Sequence, residues 1–270
     1  MYKKPFAIPF IAWILIGTIV PGIVIAFYGF TDRSGAFTVE NVTSILAPEH
    51  AKALWMSLLL AFISSIICLV ISLPLALILR NSKLSSKGFL VFIFILPMWM
   101  NFLLRTMAWQ VLLERGGLIN NFFENIGMPE LQIINTPVAV VLGMVYDYLP
   151  FMILPIYNSM IKIENAVIEA AYDLGATKAK VFKDVIIPLS VPGIASGITM
   201  VFVPALTTFG ISNMLGGGKI YFIGNIIEQE FTTTSNWNLG SGLSLVMMVF
   251  ILITMELMSR LDKDGDGALL

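Results

Sequence analysis

Residues 168–194 read IEAAYDLGATKAKVFKDVIIPLSVPGI. The stretch is charged and helix-favouring, yet it lies between two long apolar runs, Val138–Met160 and Pro192–Leu215. Ala166–Leu174 has good helix propensity. Val167, Ala170, Ala171 and Leu174 fall at i, i+3, i+4 and i+7, one apolar stripe. Gly175 suits the left-handed conformation that ends a helix. Thr177 is placed to cap a second helix, running to about Ile187 and stopping at Pro188. Val181, Phe182, Val185 and Ile186 form its apolar side. The expected unit, over residues 162–190, is helix, sharp turn, helix. It fits two readings: a hairpin packed on its own bundle, or a docking element whose small apolar face enters a groove on a partner.

The rest of the chain supplies the setting. Of 270 residues, 57% are hydrophobic and only 12% charged, and mean hydropathy is +0.88. A soluble domain carries about 25% charge, so the composition indicates an integral membrane protein. A net charge of −1 offers no basic field for nucleic acid. Cys68 is the only cysteine and His50 the only histidine. An intrachain disulfide is therefore impossible, and a His/Cys metal cluster or a Ser-His-Asp triad lacks material.

A helix crosses a hydrocarbon layer with about 20 apolar residues. Six stretches qualify: Ile8–Phe30, Leu54–Leu79, Phe89–Leu113, Val138–Met160, Pro192–Leu215 and Leu243–Leu261. The first has too long an apolar run for a signal peptide and reads as a retained span. Helices are expected throughout, because barrel-strand alternation is absent. The fold class is thus all-α integral membrane with about six transmembrane helices, one domain over 1–270.

With the N-terminus inside, Lys3, Lys4, Arg80, Lys83, Lys87, Lys162, Lys178, Lys180, Lys183, Arg260 and Lys263 face the cytoplasm. Arg33, Lys52, Arg115 and Lys219 lie outside. The imbalance puts both termini in the cytoplasm, and residues 168–194 with them. Pro21, Pro74, Pro97, Pro150, Pro155 and Pro204 fall in or beside spans and are candidates for kinks. Gly193 and Gly197 make a small-xxx-small pair suited to close helix packing. The loop Gly216–Gly240 is apolar enough to dip into the outer face.

Glu169-Ala170-Ala171, three residues, Gly175, nine residues, then Val185-Ile186-Ile187-Pro188 resembles the EAA loop of ABC importer permeases. That pattern is E-A-A-x3-G-x9-I-x-L-P. The chain departs from it only by Val185 for Ile and Ile187 for Leu. The resemblance implies a type I importer permease of MetI-like fold. It also implies that Glu169, Ala170, Ala171, Asp173, Leu174, Gly175 and Pro188 form the coupling to an ATPase. The implied partners are a second permease subunit, two cytoplasmic ATPase subunits and an extracytoplasmic substrate-binding protein, in a bacterial cytoplasmic membrane.

No Walker A sequence is present. Around Gly216–Ile220 the pattern would need Gly where Asn213 stands and Ser or Thr where Ile220 stands. This chain is therefore expected to be a transporter subunit and not an enzyme, without a cofactor of its own. ATP and magnesium would be used by the partner. Asp262, Asp264, Asp266 and Gly267 match the start of an EF-hand loop, but the twelfth-position Glu is missing, so no metal site is expected.

Ionisable residues inside spans are costly and suggest a polar path. Asp147 is the most central carboxylate, between Tyr146 and Tyr148. A carboxylate beside aromatic rings suits a cationic amine; an ion pair with Arg105, gating or structural, is the other reading. Leu96–Asn120, through Pro97, Trp99, Arg105, Thr106, Ala108, Trp109, Gly117, Leu118 and Asn120, is similar to the permeases of spermidine/putrescine importers. So is the run from Tyr148 to Tyr157. This resemblance implies polyamine cargo; Asp147, Tyr146, Tyr148, Trp99, Trp109 and Glu228 are the candidate residues of the path. Permeases for iron, thiamine, sulfate or aminophosphonates have similar segments. An ion-coupled secondary transporter would need intramembrane ion sites or inverted repeats, and neither is evident.

Overall fold

Lipid leaves no partner for a free backbone group, so a chain this apolar must satisfy its own. Helices do so here. The computed structural model describes residues 13–82 and 96–267, with 261–267 as backbone alone. In chain order the helices are α1 Val20–Gly29, α2 Pro48–Asn81, α3 Phe102–Leu113, α4 Leu118–Asn125, α5 Pro137–Met160 and α6 Asn165–Asp173. They continue with α7 Lys178–Leu189, α8 Val191–Thr207, α9 Gly210–Gly216, α10 Ile223–Thr232 and α11 Trp237–Gly267.

α2, α5 and the Trp237–Arg260 part of α11 are long and apolar enough to cross a membrane; α7 and α8 pass the same test only as a pair bent by 68°. The second, fourth and sixth expected spans are thus continuous helices, and α2 and α11 begin six residues earlier than hydropathy indicated. The third span is discontinuous where described. A 3₁₀ turn, Leu96–Trp99, precedes α3, which starts where the Asn101 side chain accepts from the Leu103 and Leu104 amides. The fifth is broken after Thr207, with Thr208 and Phe209 between α8 and α9. The expected residues Ile8–Ala12 and Phe89–Ile95 lie outside the described residues, as do Lys3, Lys4, Lys83, Lys87 and the side chain of Lys263. The Gly216–Gly240 loop contains α10, with Phe222, Ile223 and Asn225 buried. The acidic tail continues α11 as a helix to Gly267, so the EF-hand-like run is not a loop.

The chain divides into two compact units, Met1–Leu54 with Ile223–Leu252, and Trp55–Phe222 with Ile253–Leu270. In the first, the end of α1 is tied by two asparagines. Asn41 Nδ2 donates to the Thr31 carbonyl at 2.9 Å and Asn238 Nδ2 donates to it at 2.7 Å. They also reach the Gly29 and Tyr28 carbonyls in the last turn of the helix. The hairpin Thr31–Phe37 turns on Asp32, whose carboxylate accepts from the Ser34 hydroxyl at 2.6 Å and the Ala36 amide at 2.9 Å. The Ser34 hydroxyl, then the backbone amides, hold this exposed carboxyl below its usual range. His50 Nδ1 lies 2.7 Å from the Ser44 carbonyl, a local tie.

The second unit is built on α5. Its core joins Cys68, Ala76 and Leu79 of α2, Met152, Ile153, Ile156 and Met160 of α5, Val181 and Ile186 of α7, and Val201 of α8. α8 lies against α5 through the two glycines. A Cβ at Gly193 would stand 2.5 Å from the Pro155 carbonyl oxygen, and one at Gly197 would stand 2.8 Å from the Met152 sulfur. The Gly193–Gly197 pair therefore does what small-xxx-small pairs do, admitting a neighbouring backbone.

Candidate functional site

Two sites emerge in the second unit. The first is the polar hairpin of α6 and α7. α6 ends in a Schellman motif: Gly175 stands at φ +80°, its amide donates to Tyr172 at 2.8 Å, and the Ala176 amide donates to Ala171 at 3.0 Å. A Cβ at Gly175 would meet nothing within 4 Å, so the backbone angle and not space demands glycine there. Thr177 caps α7 as expected, accepting from the Lys180 amide at 3.4 Å.

The orientation of α6 differs from the expected stripe. Ile168 and Ala171 pack on the core, with Ala176 behind them. Val167 and Leu174 are 43% and 89% exposed, and Ala170 and Tyr172 are exposed as well. α6 is apolar on two adjoining edges, and the chain keeps only one of them. Glu169 and Asp173 are exposed too. In α7, Val181, Phe182, Val185 and Ile186 turn to the core as expected. The helix does not stop at Pro188, however. A π turn, Phe182–Ile186, precedes it and Pro188 sits in the first turn of the following segment, where its missing amide costs least. The break falls at Ser190.

Arg80 was readable in sequence only as one more inside charge. In the structure its Nε donates to the Met160 carbonyl at 2.9 Å. Nη2 donates to the Ile163 carbonyl at 2.9 Å and to Asn165 Oδ1 at 3.1 Å. A basic side chain in the last turn of a span is the signal that could have pointed to helix-end capping.

The second site lies where α3, α5 and α9 meet. Arg105 Nε is 3.1 Å from Asp147 Oδ1, with the side chains 7% and 3% exposed. Neither atom makes an aligned hydrogen bond, so the contact is an ion pair and not a bidentate clamp. Arg105 Nη1 donates to the Pro97 carbonyl at 2.9 Å, and Thr106 Oγ1 lies 3.3 Å from Asp147 Oδ2. Successive helix residues point about 100° apart, so the aromatic neighbours of Asp147 go elsewhere. Tyr146 meets the Trp109 ring edge-on at 5.4 Å between centroids. The Tyr148 hydroxyl donates to the Pro204 carbonyl at 3.4 Å, which the break after Thr207 leaves short of a helical donor. Trp99 is 76% exposed on the 3₁₀ turn. Glu228 belongs to the other unit, on α10, and accepts from Thr232. Among the described residues no group of three His, Cys, Asp or Glu could hold a metal ion.

Comparison with known proteins gives the family and the fold of the whole chain. The sequence model of the family described as "binding-protein-dependent transport system inner membrane component" matches residues 72–264. The spermidine/putrescine transport system permease protein PotB of Haemophilus influenzae is 35% identical over 260 residues, 93% of this chain and 91% of that protein. Escherichia coli PotB is 34% identical over 247 residues, 88% and 90% of the two chains. Among solved structures, a chain of the bacterial alginate ABC transporter in complex with an alginate pentasaccharide-bound periplasmic protein superposes with a TM-score of 0.82. It is 17% identical, over 97% of this chain and 93% of that one. A chain of the inward-facing MetNI methionine ABC transporter gives a TM-score of 0.57 at 18% identity, over 80% and 95%.

Proposed function

The chain belongs to the family of binding-protein-dependent transport system inner membrane components, type I ABC permeases with an all-α, MetI-like membrane fold, and from this premise we propose that it is the polyamine-conducting permease subunit of an ATP-driven importer. It works with a second permease subunit, two cytoplasmic ATPase subunits and an extracytoplasmic binding protein. Similarity to spermidine/putrescine permeases at 34–35% over most of the chain supports the cargo. The likeness to a transporter captured with a periplasmic protein supports the receptor. ATP and magnesium belong to the partner ATPase. The chain lies in a bacterial plasma membrane with both termini, and the α6–α7 hairpin, in the cytoplasm.

The observation that carries the reading is the outward edge of α6. Val167, Ala170 and Leu174 form an uncovered apolar strip on an otherwise charged segment, fixed in direction by the Gly175 turn. Small alanines let a partner approach closely, and Glu169 and Asp173 beside them suit a basic rim. Closure of the ATPase dimer on ATP pushes this helix. α7, bent by 68° from α8, passes the push into the fifth span. The ATPase states must bind the two permease states differently for this to work.

Asp147 is the carboxylate that meets cargo, and Arg105 is the partner that holds it while the path is closed. A primary ammonium offers the same charge and more donors, so an arriving polyamine competes for Asp147 and releases the guanidinium. Tyr146, Tyr148, Trp99 and Trp109 supply ring faces for the methylene and ammonium groups; Glu228, in the other compact unit, is a separate acid that attracts cations. The test is uptake of labelled spermidine into proteoliposomes holding the whole complex and binding protein. Uptake is expected to require ATP and an intact ATPase subunit; uptake driven by an ion gradient without ATP contradicts the reading.

A further inference from the structure

The hydrogen bonds of Arg80 join α2 to the connection between α5 and α6, which is distant from it in sequence. The side chain leaves the last turn of α2 and reaches the carbonyl of Met160, the final residue of α5. It then reaches the Ile163 carbonyl and the Asn165 side chain, at the first residue of α6. Between α5 and α6 lie only residues 161–164. Those residues are tied only locally by their own backbone, the Ile161, Lys162 and Ile163 amides donating to the Tyr157, Ser159 and Met160 carbonyls at 3.0, 3.2 and 3.3 Å, and Arg80 adds the ties that anchor the joint to α2. The guanidinium supplies donors in a rigid fork, and its charge complements the negative end of the α5 dipole. Among the described residues the only ion pairs are Arg105–Asp147 and Arg260–Glu256, so the Arg80 charge is directed at helix-end carbonyls. Leu79, Met160 and Ile163 are buried around the joint.

We propose that Arg80 is a positioning residue of the transmission: it makes α6 move as one body with the inner ends of α2 and α5. The proposal rests on the reading of α6 as the helix seated on the ATPase. Without Arg80, a push on α6 is absorbed by bending at 161–164, and ATP is hydrolysed without moving solute.

The test measures ATP hydrolysis and spermidine uptake together in proteoliposomes containing the whole complex with Arg80→Ala, Arg80→Lys or Asn165→Ala. For Arg80→Ala the ATP used per solute moved is expected to rise about tenfold, within the usual range of coupling between sites, while hydrolysis persists. Arg80→Lys restores part of the ratio, since an ammonium keeps the charge but not the fork. Asn165→Ala gives a smaller rise. If Arg80→Ala does not assemble, the ratio in Arg80→Lys decides. An unchanged ratio overturns the proposal, and so does a parallel fall of both activities with the amount of assembled complex. Wild-type complex run alongside separates the two levels. Wild-type uptake without ATP overturns the reading of α6 and this proposal with it; ATP-driven wild-type uptake with an unchanged variant ratio overturns the role of Arg80 alone.

Discussion

Asp147 and Arg105 face each other at 3.1 Å in surroundings almost closed to solvent. Each charge there is tolerable only because of the other. Removing one partner of a buried pair typically costs about 3–5 kcal/mol, whereas replacing both with apolar groups of similar volume is near neutral. Asp147→Asn should therefore lower stability by about that amount, and Arg105→Met with Asp147→Leu should recover most of it, as read by thermal melting. The double variant also separates stability from transport. It should regain its melting temperature without regaining uptake at limiting polyamine, because the carboxylate that meets cargo is gone; recovery of both would make the pair purely structural. Much of this was legible at the level of single residues, since a lone acid and a lone base in apolar spans seek each other. What the residue string hid is direction. Tyr146 and Tyr148 adjoin Asp147 in sequence but face Trp109 and the Pro204 carbonyl, and Arg80 looked like any other basic residue at a span end.

The α6–α7 hairpin was the most legible element because its signals are local. Gly175 needs a positive φ, Thr177 caps, and the apolar spacing of α7 points to the core; each survives without knowledge of the rest of the fold. The buried edge of α6 was not legible. Val167, Ala170 and Leu174 are as apolar as Ile168, Ala171 and Ala176, and only the bundle decides which set it covers. The stop expected at Pro188 failed for a related reason: a π turn just ahead of it changes the hydrogen-bond register, which no propensity reveals. If the uncovered edge is the docking face, Ala170→Arg should leave membrane insertion normal and abolish uptake. Gly175→Pro should do the same by forcing φ negative and removing the amide that donates to Tyr172, a backbone change worth about 3 kcal/mol. Quantitative membrane blots alongside uptake check both; normal uptake by either variant contradicts the assignment.

At the scale of the whole molecule, hydropathy located the long spans because it sums over many residues. The same summing erased the breaks. Asn101 starts α3 after a 3₁₀ turn, and Thr208–Phe209 interrupt the fifth span, yet a window of about 20 residues averages across both. These interruptions border the Arg105–Asp147 region, consistent with irregular backbone at membrane depth being confined to sites lined by protein. In the proposed function the ATPase subunit drives this chain through α6. Cys68, its only cysteine, is buried, and Leu174 is 89% exposed, so Leu174→Cys introduces a uniquely accessible thiol on the driven helix. The decisive measurement is crosslinking of that thiol in a transport-competent complex. A covalent adduct with the ATPase subunit is expected, its yield changing when ATP is added. A complex that imports normally while Leu174→Cys never links to the ATPase would contradict drive through α6.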